Sequence, residues 1–210
     1  MRKSTLSISE CSVVTVICFG LFTLWSTQAV VAGFPEAKFS DAVNWWIVCV
    51  EVVLASAALL YLRARNFDIQ SLYPKPTLLG TGLGVLIFIA CWLAGAVTTS
   101  MFPTADRAAV VGFSFEGVSL SSTVALALVN GTYEEVFLLG VLVRGLRGYG
   151  LSVAIGLPLL IRVLYHLYQG PLGVVWIATF GLVLTLAYVV RQDLWPPVFA
   201  HILWDIVPTL

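Results

Sequence analysis

Charge is what this chain has least of. Among 210 residues there are 11 lysines and arginines and 11 aspartates and glutamates, 10% of the chain, where a soluble domain carries roughly 25%. With 60% hydrophobic residues and a mean hydropathy of +0.98, the composition excludes a water-soluble globule and makes the bilayer the solvent. The net charge is zero and no basic stripe exists, so there is no footprint for nucleic acid. Cysteine is limited to Cys11, Cys18, Cys49 and Cys91, each in or beside an apolar run and none in a C-x-x-C pair. That excludes a disulfide frame or a cysteine zinc site and leaves them as small core residues. No H-E-x-x-H, internal repeat or low-complexity tract is present, and histidine occurs only twice.

What is abundant is long apolar runs. They predict an all-α, polytopic transmembrane helix bundle of about seven spans, at 13–32, 43–62, 78–98, 120–143, 152–168, 172–190 and 198–210. The first run, at about 20 residues, exceeds the apolar core of a signal peptide and reads as a retained helix. Residues 101–117, with Asp106, Arg107 and Glu116, read as an extramembrane loop. Within the fourth run, Asn130-Gly131-Thr132 are poor helix formers, and Thr132 with Glu135 fits a capping box. The expectation is two half-helices, with the glutamates on the first turn of the second. Placing the N-terminus in the cytoplasm puts eight basic residues inside (Arg2, Lys3, Arg63, Arg65, Lys75, Arg144, Arg147, Arg191) and two outside (Lys38, Arg107). The expected location is the plasma membrane, multi-pass, with a cytoplasmic N-terminus.

Three polar clusters interrupt the apolar runs. Glu134 and Glu135 lie inside a stretch otherwise apolar from Val118 to Val143, and an ionised group at mid-bilayer costs about 3 kcal/mol or more, so such groups mark function. Arg162 and His166 are four apart on the fifth run, and His201 and Asp205 four apart on the seventh, each pair on one helical face. Counted from the inner ends of their runs, His166 lies deeper than His201 by more than about 10 Å. A buried carboxylate suits a general base on water, a histidine beside it can share that water, and His201 with Asp205 can organise hydrogen bonds toward an oxyanion. Adjacent helical residues point about 100° apart, so one glutamate is the base and the other a partner for Arg162 or for backbone. Glu51 is a lone carboxylate in the second run, open to a structural or a functional role. The same residue types also occur in proton-coupled transporters, though without the two-halved symmetry those show, and in zinc hydrolases.

The order and spacing of these clusters resemble the CAAX protease and bacteriocin-processing family of glutamic intramembrane endopeptidases, whose eukaryotic members are type II CAAX prenyl endopeptidases. That family's pattern is two glutamates, three residues and an arginine; a phenylalanine-type residue, three residues and a histidine; then a histidine, three residues and an asparagine or aspartate. Here these read Glu134-Glu135-Val136-Phe137-Leu138-Leu139, then Arg162-Val163-Leu164-Tyr165-His166, then His201-Ile202-Leu203-Trp204-Asp205. The resemblance covers about residues 119–208 and divides the chain into N-terminal transmembrane helices, 1–118, and a catalytic core, 119–210. It implies that Glu134 is the general base, that His166 holds the attacking water, that His201 and Asp205 stabilise the oxyanion and that Glu135 is structural or tunes the base. It implies a membrane protein or peptide as substrate, the bilayer as partner, and neither cofactor nor metal. The motif arginine falls at Leu139, and Arg162, where phenylalanine is common, stands to replace it from the fifth run. Without that charge the same fold would be a degenerate scaffold or immunity protein.

Overall fold

The computed structural model describes residues 5–103, 112–115 and 117–207. Asp106, Arg107 and Glu116, assigned above to a loop, lie outside the described residues. Seven α-helices form among the described residues: α1 (Ile8–Val31), α2 (Asp41–Ala64), α3 (Leu78–Ser100), α4 (Leu120–Glu135, continued by wider π-helical turns over Val136–Val143), α5 (Leu151–Tyr165), α6 (Gly170–Arg191) and α7 (Trp195–Ile206). Ser7, Ser40, Thr77 and Ser119 cap α1 to α4, each accepting a backbone N–H with its side-chain oxygen. Among the described residues five helical segments are long and apolar enough to cross a membrane, and the protein is a multi-pass membrane protein. α5 and α7, at 15 and 12 residues, run only about 22 and 18 Å.

α4 is the axis of the bundle. Of its apolar window 72% is buried, against 17 to 33% for the other four spans. α2 and α7 pack on α4, α3 packs on α6 and α7, and α1 lies along α5. All eight residues of the π-helical stretch are buried, and such turns recur at functional sites.

Three sequence expectations are corrected. α4 runs unbroken through Asn130-Gly131-Thr132. These weak helix formers serve tertiary contacts: the Asn130 amide bonds carboxylates on two helices, and a Cβ on Gly131 would sit 3.0 Å from the Ile202 backbone nitrogen, so glycine lets α7 approach. The fifth helix ends at Tyr165, and His166 has left helical geometry (φ −111°, ψ 7°), so Arg162 and His166 do not share a helix face. The last helix starts at Trp195 and takes Pro196 and Pro197 into its first turn, where a missing N–H costs nothing. The sequence reading also contained no strand, yet β1 (Ala37–Phe39) and β2 (Phe113–Phe115) form a short parallel pair with Ala37 opposite Phe113.

Candidate active site

The glutamates, side by side at the end of the regular part of α4, diverge as helical neighbours must. Glu135 points into the bundle and is fully buried. Its Oε1 accepts from Arg162 Nη2 at 2.6 Å and from His201 Nδ1 at 2.6 Å. Glu134 turns toward a cavity of about 630 Å³ between α1, α2, α4, α6 and α7, a volume usual for a substrate pocket. Glu134 Oε2 accepts from Tyr165 Oη at 2.5 Å and from Arg162 Nη1 at 3.3 Å, while its Oε1 accepts from Asn130 Nδ2 at 3.3 Å.

Arg162 is the hinge of this cluster. Its guanidinium, 2% exposed, spans both carboxylates, the fork geometry that arginine offers and lysine does not. The stem reaches the site because α6 has no side chain in the way: a Cβ on Gly181 would stand 2.6 Å from Arg162 Cδ. The Phe180 ring covers the guanidinium at 5.4 Å. The charge expected at Leu139 is therefore delivered from α5. Leu139 itself is buried in an apolar cluster with Phe180 and Leu184.

His201 lies between two carboxylates, with Nδ1 on Glu135 and Nε2 3.7 Å from Asp205 Oδ1, so the helical spacing of His201 and Asp205 brings them face to face. His201 packs edge-on against Phe180, and its neighbour Trp204 lines the cavity. His166 stands apart. It lines the cavity and donates Nδ1–H to the Arg162 carbonyl at 3.0 Å, which leaves Nε2 as the acceptor, but it makes no hydrogen bond to either glutamate. The structure thus gathers Glu134, Glu135, Arg162 and His201 into direct contact, sets Asp205 beside them, and puts His166 on the same cavity wall beyond hydrogen-bond reach of the glutamates.

Two contributors were missed in the sequence. Tyr165, which stacks on Phe19 at 4.9 Å, supplies the shortest bond to Glu134. Asn130 stands four residues before Glu134, the i,i+4 spacing that signals a shared face. Glu51, noted only as a lone carboxylate, accepts from Asn130 at 2.8 Å and lines the cavity. Ligand atoms of Glu134, Glu135 and His201 lie within 4.8 Å of one another, a spacing open to a metal ion. The Arg162 guanidinium already provides the positive charge between the two carboxylates.

Fold and site together define a polytopic membrane protein with a glutamate- and histidine-bearing cavity buried among its helices. Residues 116–207 match the family model described as type II CAAX prenyl endopeptidase Rce1-like, so over this segment the chain is similar to that family. No curated protein and no solved structure matches the chain.

Proposed function

We propose that this protein is an intramembrane glutamic endopeptidase, which hydrolyses a peptide bond of a membrane-associated protein or peptide with water activated by Glu134. The observation that carries this is the setting of Glu134: three donors, Tyr165, Arg162 and Asn130, fix a carboxylate on the wall of a large, mostly apolar cavity. Glu134 takes a proton from water as the water oxygen bonds to the substrate carbonyl carbon. His166, with Nδ1–H committed to backbone, accepts from that water through Nε2. His201, oriented by Glu135 and Asp205, donates to the oxyanion, and Glu135 holds Arg162 and His201 in register. No metal enters the scheme, because Arg162 supplies the positive charge beside the base. Residues 119–210 form the catalytic core of a plasma-membrane protein, and the eight-to-two bias of basic residues supports a cytoplasmic N-terminus.

The second reading, a catalytically degenerate scaffold, drew its support from leucine at the motif arginine position. Arg162 on both glutamates favours the active enzyme. Glu134→Gln separates the two, since it removes the base with little change in volume. Proteolysis by the purified, reconstituted protein is expected to fall by at least about 100-fold while the protein still inserts and folds. Retention of full function by this variant would be enough to abandon the assignment.

A further inference from the structure

Glu51 on α2 is 2% exposed, and its one hydrogen bond among the described residues is that which Asn130 donates to Oε1. Glu51 lines the cavity, and its Oε2 is buried with no hydrogen-bond partner among the described residues. The buried arginine of the site, Arg162, is committed to Glu134 and Glu135. The groups facing Glu51 are Asn130, Tyr133 and Glu134 on α4 and His201 and Asp205 on α7, while α1 presents Phe19 and Phe22 to the cavity. A buried carboxyl without a cation is retained as the neutral acid, whose carbonyl oxygen accepts and whose hydroxyl donates. Glu51 fits this division: Oε1 takes the Asn130 amide, and Oε2 is left to carry the proton. The same Asn130 nitrogen donates to Glu134, so the Oε1 atoms of the two carboxyls, reached at 2.8 and 3.3 Å, are at most about 6 Å apart, and both side chains line one cavity.

We propose that Glu51 is the general acid of this site and delivers the proton that the leaving amine requires. The proposal rests on the peptidase reading above and adds a catalytic residue from outside the family-matched segment. Glu134 accepts a proton from water as oxygen bonds to the carbonyl carbon. When the tetrahedral intermediate collapses, the C–N bond breaks, its electron pair stays on nitrogen, and the Oε2 proton of Glu51 completes the amine. The acid and amine products depart, and the proton held by Glu134 returns through cavity water to Glu51. A pair of carboxyls in contrasting surroundings, one beside an arginine and one without a cation, divides base from acid.

The test compares leaving groups. Native protein and Glu51→Gln, in nanodiscs, are given two probes: the fluorescence-quenched, lipid-anchored peptide that the native protein cleaves fastest from a random library, and the p-nitrophenyl ester of its acyl half, whose leaving group needs no proton. Glutamine keeps the acceptor for Asn130, so kcat on the amide should fall about 100-fold while ester hydrolysis stays within about 3-fold of native. Parallel loss on both probes, or undiminished amide cleavage, overturns the proposal. If Glu51→Gln does not fold, Glu51→Asp is read in the same way: its amide-to-ester ratio should drop at least about 10-fold, and an unchanged ratio overturns the proposal. Glu134→Gln run alongside should lose both reactions. Amide cleavage at the native rate by that variant sinks the peptidase reading itself, as would a native protein that cleaves no peptide, and the Glu51 role would go with it.

Discussion

Arg162→Leu is the most informative perturbation of the site. The guanidinium is the counter-charge for two buried carboxylates, with bonds of 2.6 Å to Glu135 and 3.3 Å to Glu134. Breaking a buried pair by removing one partner typically costs about 3–5 kcal/mol, because the other charge is left uncompensated. A loss of that size raises the unfolded fraction by roughly 100-fold or more, at 1.4 kcal/mol for each factor of ten. Proteolysis should disappear with it, since Glu134 loses a donor and Glu135 releases its hold beyond His201. Position 139 offers the rescue. Leu139 stands about one turn past Glu135 and belongs to the cluster around Phe180, the ring that covers Arg162. A long side chain there leans back toward the start of its helix, hence toward Glu135. Arg162→Leu with Leu139→Arg should therefore recover part of both stability, followed by denaturant titration in mixed micelles, and peptide cleavage. A double variant no better than Arg162→Leu alone would refute the idea that one charge can be supplied from either helix.

Two further outcomes follow from single contacts. Tyr165→Phe removes one buried hydrogen bond to a charged group, worth about 1.5–3 kcal/mol, so the melting temperature should drop by several degrees and kcat/KM should fall roughly 10- to 100-fold while the stack on Phe19 is kept; a loss of kcat/KM under about 2-fold contradicts the role assigned to its hydroxyl. Gly131→Ala places a methyl 3.0 Å from the Ile202 nitrogen and 3.4 Å from the His201 carbonyl carbon, so α7 must shift, at a cost of about 1–3 kcal/mol and with loss of cleavage; Gly148→Ala, with nothing within 4 Å, is the control and should leave both unchanged.

The apolar runs and the three clusters were legible because both signals are local: hydropathy over about 20 residues, and ionisable pairs at helical spacing in a medium that tolerates few of them. Arg162 as replacement for the absent motif arginine was legible for the same reason, a charge in lipid needing a partner. Less visible was anything set by packing between distant segments. Asn130-Gly131 reads locally as a break, and only the proximity of α2 and α7 shows that the amide and the missing Cβ are in use. The end of α5 at Tyr165 could not be placed, because Leu167 and Tyr168 are as apolar as the residues before them. The β1–β2 pair joins residues 76 positions apart, with three residues in each strand, too few for alternation to register.

The hydrogen bonds that cross from the first two helices to the rest of the chain have a further consequence. Asn130 reaches Glu51, Asn44 reaches Ser122, Asp41 receives Ser119 and Ser122, Tyr133 donates to the Cys18 carbonyl, and the Tyr168 N–H donates to Ser26. Each joins a residue before 52 to one after 118, and most lie where lipid offers no substitute partner. The family-matched stretch is thus not a cassette that could be transplanted alone. Excised, it would expose orphaned donors along α4 and lose one side of its own cavity, so α1 and α2 belong to the site as much as the motifs that mark it.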